Sequence, residues 1–309
     1  MDTLLQAESP DLVLTGTSTP DDNNRHVIEQ TTTLAARNRG ITTLAVLDFW
    51  TKYSLRFSDI SSGVQLKFLP DKLAIMDKYA ESDMLAEGFP EDILVITGNP
   101  HFNNLEAKAR EFSGKEGWRQ QIGLDTEVLC FYAACVWKHE ESKLGYWDLH
   151  NIQLANGVLR ELPEPSRFGL VVKLHPRVPR EDLEEISDYI QNESDGRIKL
   201  TDISPSELIL ASDLTLTPYS TLGIEAVYIG KPCISIQPGL LCEDFLAVLT
   251  KNNLIPVGYN HEDCKCLVER AYTDSNYREG LIDQASDFRT DGKATDRVTN
   301  LVYELLEIT

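Results

Sequence analysis

The stretch 217–226 places hydroxyl and carboxylate side chains at a spacing that could hold a nucleotide. It follows a short apolar run that predicts a buried strand, and it opens a helical pattern that ends near Gly230. Ser220 or Thr221 can cap that helix, because a hydroxyl accepts a hydrogen bond from the first free backbone N–H groups. Those N–H groups and the helix dipole also attract phosphate. Glu225, about one turn further on, could therefore bind ribose hydroxyls, or it could simply face solvent.

A histidine and an arginine follow another apolar run. His175 could bind a phosphate oxygen or act as an acid, or its ring could bond only to nearby backbone. Arg177 has the planar fork of donors that suits phosphate. We therefore predict a nucleotide-binding set in which His175 is also a candidate catalytic acid: His175, Arg177, Ser220, Thr221 and Glu225.

Asp48 ends an earlier apolar run and is the candidate catalytic base. A carboxylate at the end of a strand can take a proton from a substrate. It can equally cap a turn, and the sequence identifies no partner for it. Thr17 and Ser18 end the preceding run in the same way, and they could line a ligand site or only form a turn.

These candidates stand at the ends of apolar runs that alternate with helical patterns. Such alternation predicts parallel sheets covered by helices on both faces, and ligands bind beyond the carboxyl ends of the strands in such sheets. Asn23 or Asn24 is the expected cap of the first long helix, which runs to Gly40. The predicted strands are 11–15, 41–47, 72–76, 93–97, 128–134, 169–174, 198–200, 213–216 and 232–236, and the chain from 242 onward is expected to be largely helical.

A charged, glycine-containing segment, 108–123, separates the two series of strands. We place the domain boundary there, so that 1–115 and 116–309 are expected to form two domains. Only about four strands precede the boundary, fewer than a typical sheet of this class has. The first domain is therefore predicted to be incomplete, with an exposed strand edge that self-associates or binds a partner chain.

The chain is strongly acidic: its 309 residues have a formal net charge of −20, and the sequence pI is about 4.7. Such a protein repels nucleic acid and anionic lipid, so neither is expected as a partner. No apolar run is long enough to cross a bilayer, and no secretion signal is visible at the N-terminus. The six cysteines stand mostly in apolar surroundings and lack zinc-site spacing. These features predict a soluble cytoplasmic protein with reduced thiols and no bound metal or cofactor.

Several short motifs occur in one order along the chain. They are Leu14-Thr15-Gly16-Thr17-Ser18, Val95-Ile96-Thr97-Gly98-Asn99, His175-Pro176, the helix 220–226 and Gly230-Lys231-Pro232. This order resembles the GT-B superfamily of sugar-nucleotide enzymes, in which two Rossmann-like domains face each other across a cleft. The nearest pattern is that of the non-hydrolysing UDP-N-acetylglucosamine 2-epimerases. The second half also resembles bacterial sialyltransferases and CDP-glycerol polymerases, which share a His-Pro motif and a later Ser-Ser or Ser-Thr motif.

The resemblance implies roles for both halves of the chain. The domain 1–115 would be the acceptor side, and 116–309 would bind the nucleotide sugar, with phosphates at the helix start and at His175 and ribose on Glu225. Three catalytic stretches of the epimerases are altered, however. Their Gly-Asp-Thr acid corresponds to Thr17, their His-x-Glu-Ala-Gly stretch keeps only the carboxylate of Asp48, and Cys135-Val136-Trp137 stands where they have a His-Arg-Arg-Glu-Asn loop. An epimerase must take and return a proton through paired acid/base groups, so these changes argue against epimerase activity.

The favoured hypothesis is therefore a GT-B-type glycosyltransferase for surface polysaccharide or glycoconjugate biosynthesis. It would use a UDP-, CDP- or CMP-linked sugar, with Asp48 as the base. It would need no metal, because helix dipoles and basic side chains can stabilise the leaving phosphate, and no Asp-x-Asp motif stands out. The alternative is a non-catalytic nucleotide-sugar-binding or assembly subunit that needs a partner chain, and a UDP-sugar 2-epimerase ranks below both.

Overall fold

The structure is a computed structural model, and it describes residues 1–20, 27–112 and 114–307. Apolar runs bounded by turns form its strands, as expected for strands that are buried on both faces of a parallel sheet. The strands are β1 Leu12–Thr15, β2 Thr42–Val46, β3 Lys72–Ile75, β4 Leu94–Ile96, β5 Val128–Ala133, β6 Phe168–Lys173, β7 Ile198–Leu200, β8 Leu214–Thr217, β9 Cys233–Ile236 and β10 Val257–Gly258.

Helices connect the strands and follow the last of them. None of those in the described part of the chain has the length and apolarity needed to span a bilayer. The helices are α1 Asp2–Glu8, α2 Ile28–Asn38, α3 Tyr53–Phe57, α4 Lys78–Ala86, α5 Leu105–Glu111, α6 Lys115–Ile122, α7 Glu141–Leu144, α8 Asp148–Glu161, α9 Arg180–Glu193, α10 Pro205–Ala211, α11 Thr221–Tyr228, α12 Ala247–Thr250, α13 His261–Thr273, α14 Ser275–Gln284 and α15 Ala294–Leu305.

The first compact unit comprises Met1–Asn104 together with the C-terminal segment from Thr290. Its four strands are parallel and lie in the order β1-β2-β3-β4. Val298 and Leu301 of α15 belong to one buried apolar cluster with Leu44 of β2. The C-terminal helix is therefore part of the core of the first unit.

The second compact unit comprises Leu105–Arg289. Its six strands are all parallel and lie in the order β10-β9-β8-β5-β6-β7. The central strands are buried, and Leu129, Phe131 and Val171 have no exposed surface. Burying each such side chain contributes about 1.5–3 kcal/mol, so the loops that leave these strands start from a well-packed base.

The predicted fold class is confirmed: the chain is α/β, with two parallel-sheet units of four and six strands. Every predicted strand is present, with slightly different ends. β10 and α3 are among the elements that were missed, because they are too short to produce a periodic pattern. β10 pairs with β9 in a region expected to be helical, and α3 lies in a segment expected to be a loop. The helix cap expected at Asn23 or Asn24 lies outside the described residues.

Candidate functional site

Four loops of the second unit leave the sheet at the same edge. Because the strands are parallel, the segments after β5, β6, β8 and β9 emerge side by side at the carboxyl ends. This edge is where open α/β sheets bind ligands. His175 and Arg177 follow β6, Ser220 and Thr221 follow β8, and Glu225 lies in α11.

The turn between β8 and α11 is held by two hydroxyl groups. The Ser220 N–H donates to Oγ1 of Thr217 at 2.9 Å, and Oγ of Ser220 accepts from the Leu222 N–H at 3.3 Å. Ser220 is thus the N-cap, and Thr221 is the exposed first residue of the helix. The helix lies so close to β8 that a Cβ on Gly223 would come within 2.8 Å of Cγ2 of Thr217. A glycine is needed for this approach.

Two buried polar side chains support the same turn from β9 and its end. Oγ of Ser235 donates to the Pro218 carbonyl at 2.8 Å, and Nε2 of Gln237 donates to Oγ of Ser235 at 3.0 Å. Both side chains are fully buried. Sequence reasoning missed them, although a serine and a glutamine that alternate with isoleucines do signal polar groups on one buried face of a strand.

Glu225 lies in the second turn of α11 and is half-buried. Burial raises the pKa of its carboxyl group, and the charge of Lys108 opposes that shift. Lys108 also lines a cavity of about 310 Å³, whose wall includes the stacked rings of Phe112 and Trp118. A flat aromatic group could stack on such rings.

His175 follows β6 and is held by its own loop. Its Nδ1 accepts the Arg177 N–H at 3.1 Å, so the neutral ring has its proton on Nε2. Burial, and then the charge of Arg177, lower the pKa of the imidazole below its ordinary value. The ring packs edge-to-face with Trp137, with 6.0 Å between the ring centroids. A neutral imidazole in this tautomer can donate from Nε2 to a phosphate oxygen.

The loop after β5, which contains Trp137, is anchored by a buried carboxylate. Asp148 accepts from the Tyr132 hydroxyl at 2.7 Å and from the N–H groups of Cys135 at 3.2 Å and Val136 at 2.9 Å. Burial raises the pKa of Asp148 to about 7, and the three donors oppose that shift. The anchor fixes the loop at the carboxyl edge of the sheet.

Asp48 lies in the first unit, just after β2, and pairs with a buried arginine. Its Oδ1 accepts from Arg56 at 2.6 Å and from the Thr17 hydroxyl at 3.2 Å. The Arg56 side chain is 6% exposed, whereas that of Asp48 is 66% exposed. Arg56 also donates to the carbonyls of Thr17 and Thr51. The carboxylate therefore faces solvent while a buried cation compensates its charge.

The structure thus places His175 and Arg177 after β6, Ser220 and Thr221 after β8, and Glu225 in the second turn of α11. It also gives Asp48 a partner, Arg56, that sequence reasoning did not find. Arg56 was missed because it lies on α3, in the segment expected to be a loop. The ligand roles of all six residues stay predictions. Within residues 1–20, 27–112 and 114–307, no three His, Cys, Asp or Glu side chains converge as metal ligands.

Solved structures of other proteins share this fold. A candidate UDP-N-acetylglucosamine 2-epimerase from Listeria monocytogenes has 17% sequence identity and a TM-score of 0.68, over 100% of this chain and 78% of that chain. The UDP complex of S. aureus MnaA has 18% identity and a TM-score of 0.65, over 100% of this chain and 78% of that chain. The UDP-GlcNAc complex of the 2-epimerase from Neisseria meningitidis has 16% identity and a TM-score of 0.67, over 98% of this chain and 79% of that chain. At such identities the likeness shows the GT-B-like fold alone. The chain matches no protein-family model, and no curated protein matches it.

These comparisons correct the functional hypothesis drawn from the sequence. That hypothesis favoured a glycosyltransferase and ranked a 2-epimerase below it and below a subunit that needs a partner chain. It is wrong, because the solved structures that the chain resembles include UDP-N-acetylglucosamine 2-epimerases.

Proposed function

We propose that this chain binds a UDP-linked sugar, with the nucleotide at the carboxyl edge of the second sheet. One observation carries the proposal: the capped helix start at Ser220 and the neutral imidazole of His175 both follow strands at the carboxyl end of one parallel sheet, and the half-buried carboxylate of Glu225 lies in the second turn of that helix. The UDP and UDP-GlcNAc bound to two of the solved neighbours support UDP over CDP or CMP.

The diphosphate is placed at the start of α11. The helix dipole attracts negative charge at this end of α11, and His175 donates from Nε2. Arg177 is exposed in the same loop as His175 and supplies a positive charge. In a chain with a net charge of −20, such a group of donors is a local exception to the repulsion of anions.

The ribose and the base are placed on the Lys108 side of α11. Ribose hydroxyls donate to the carboxylate of Glu225, which accepts no hydrogen bond from the described residues. Because the base is covalently joined to the ribose, it enters the neighbouring cavity and stacks on the rings of Phe112 and Trp118. Ser206, which lines the same cavity, offers its hydroxyl to the edge of the base. The hydroxyl of Ser204 donates to Glu207 at 2.6 Å and can therefore only accept a hydrogen bond from the base.

Calorimetry tests the binding proposal. We expect UDP to bind at least about tenfold more tightly than CDP or CMP, and Glu225→Ala and His175→Ala each to weaken UDP by roughly tenfold or more, through lost charge-assisted hydrogen bonds. His150→Ala is the control, because that imidazole is exposed on α8 and has no place in the proposed site. No binding at millimolar UDP, or equal binding by the native chain and both site variants, would contradict the proposal.

The reaction that we propose for the bound sugar is epimerisation at C2. The epimerases among the solved neighbours support it, and Asp48 of the first unit stays the candidate base that the sequence predicts. It is exposed, and Arg56 and Thr17 fix its orientation. An epimerase removes a proton from one face of C2 and a different donor supplies a proton to the opposite face. We assign no side chain as that donor and propose that a water molecule supplies the proton, so solvent hydrogen should enter at C2.

Proton NMR in deuterated water tests this reaction separately from binding. UDP-GlcNAc should gain deuterium at C2 and yield its C2 epimer, and Asp48→Asn should slow both changes by about a hundredfold or more while UDP binding is kept. If UDP-GlcNAc binds and neither deuterium nor the epimer appears, the reaction is refuted and the binding proposal stands.

A further inference from the structure

Trp137 lies in the loop after β5, at the carboxyl ends of the strands where the proposed site is placed. The proposed function does not use this residue. Its indole ring lies near two imidazoles, and its ring centroid is 5.4 Å from that of His139 and 6.0 Å from that of His175. Its Nε1 is buried and has no hydrogen-bond partner among the described residues. An unpaired buried N–H is destabilising, so what this side chain contributes is the packing of its ring.

The backbone that carries the indole is fixed by carboxylates. The N–H of Val136 donates to Asp148 at 2.9 Å, and the N–H of Lys138 donates to Asp182 at 2.9 Å. The N–H of Trp137 itself donates to Glu140 at 3.3 Å. Because these hydrogen bonds restrain the backbone, the ring can hold a neighbouring side chain in one orientation.

We propose that Trp137 is a positioning residue of the nucleotide site, whose ring holds the His175 imidazole with Nδ1 on the Arg177 N–H and leaves the Nε2 proton for a phosphate oxygen. The part that concerns the phosphate rests on the proposed function. The orientation of the imidazole does not, because the hydrogen bond to Arg177 and the contact with Trp137 are both present without a ligand.

The charged groups around His175 make its protonation a useful reporter. Lys173 and Asp202 line the same cavity as the imidazole, Arg177 lies in its loop, and the ring of His139 lies 5.4 Å from that of Trp137. Burial is the larger cause of the lowered pKa of His175, ahead of Arg177. Removing the indole would expose the imidazole and return its pKa toward the ordinary value, whereas a purely structural loss elsewhere would not.

Two variants of Trp137 separate the ring from its N–H. Trp137→Phe keeps an aromatic ring without the donor, and Trp137→Ala removes both. The pair of Trp147 and His150 offers a matched control, since its rings also lie 6.0 Å apart at 68°, and His150→Ala removes an imidazole from that pair.

Long-range proton–nitrogen NMR spectra of the ligand-free protein test the positioning directly. We expect the Nε2–H tautomer of His175 in the native chain and in Trp137→Phe. In Trp137→Ala we expect a mixture of tautomers and a pKa closer to the ordinary value. An unchanged tautomer and an unchanged pKa in Trp137→Ala would overturn the proposal.

Calorimetry with UDP completes the test. Trp137→Ala should weaken UDP on the order of tenfold, Trp137→Phe by less than about twofold, and Trp137→Ala should cause no further loss when added to His175→Ala. His150→Ala should leave the affinity unchanged. Equal losses in the Phe and Ala variants, or a full further loss in the His175→Ala background, would overturn the proposal. If the native chain does not bind UDP, the proposed function fails, and the NMR result alone decides whether Trp137 positions His175.

Discussion

Glu225 lies in the second turn of α11, where the hydroxyls of a ribose could reach a half-buried carboxylate. The pKa of this carboxyl group is raised by burial, so the group loses its charge at a higher pH than an exposed glutamate does. A bond from a ribose hydroxyl to the carboxylate would therefore weaken as the pH falls through that raised pKa. The hydrogen bond from His175 to a phosphate should have the opposite pH dependence, because a protonated imidazole binds phosphate more strongly.

A ligand that lacks one hydroxyl tests this role of Glu225. The native chain should bind 2′-deoxyuridine diphosphate about tenfold more weakly than UDP, because one charge-assisted hydrogen bond is lost. Glu225→Gln should bind both ligands weakly and almost equally. Calorimetry of the two ligands with the two proteins gives the comparison. If Glu225→Gln discriminates between the ligands as well as the native chain does, the carboxylate does not contact the 2′ hydroxyl.

The sequence predicted the positions of residues whose hydrogen-bond partners are close to them in the chain. Ser220 as a helix cap needs only the N–H groups two residues away, and that pattern is visible in a single chain. Arg56 donates to the carbonyl of Thr17, which is distant in the sequence. Gln237 reaches the turn before α11 only through the side chain of Ser235. No spacing rule announces such contacts, so only the folded structure reveals them.

At the scale of elements, the loop after β5 depends on one buried carboxylate. Asp148 has no cation beside it in its network of donors. Its folded-state pKa of about 7 lies above the ordinary value of 3.8. The folded chain holds this proton more tightly than the unfolded chain, so binding of the proton stabilises the fold. The resulting stability is complete below pH 3.8 and is lost as the pH rises through 7.

The variant Asp148→Asn tests this pH dependence. Relative to the variant, the native chain should lose free energy of unfolding as the pH rises from about 5 to 7, by roughly 1.4 kcal/mol per pH unit at most. Urea unfolding at several pH values measures the difference. A difference between the two proteins that stays constant over this range would show that Asp148 does not titrate there.

The elements themselves followed from the sequence wherever they were long and apolar. The strands of both sheets were predicted because buried parallel strands read as continuous apolar runs. β10 has two residues and α3 has five. Neither is long enough for the periodicity that identifies a strand or a helix. Helix α3 brings Arg56 to Asp48, so an element too short to predict makes an important contact.

At the scale of the whole molecule, β1 lies at one edge of the first sheet. Leu14 on this strand is 52% exposed. An edge strand with exposed apolar side chains can pair with another chain. The association expected there from the sequence stays a prediction.

Sedimentation of the purified chain tests this association. The native chain should form a larger species as its concentration rises, and Leu14→Lys should reduce that species. Ile96→Lys is the matched control, because Ile96 is 45% exposed on β4, at the opposite edge of the sheet. A native chain that stays monomeric at high concentration, or an equal effect of both substitutions, would contradict a specific role for β1.

The most direct test of the central claim is a crystal structure of the chain with UDP. The claim predicts the diphosphate at the Ser220 turn within hydrogen-bond distance of Nε2 of His175, the ribose on the carboxylate of Glu225, and the base against Phe112 and Trp118. Density for UDP anywhere else on the chain, or no density at a saturating concentration of UDP, would contradict it.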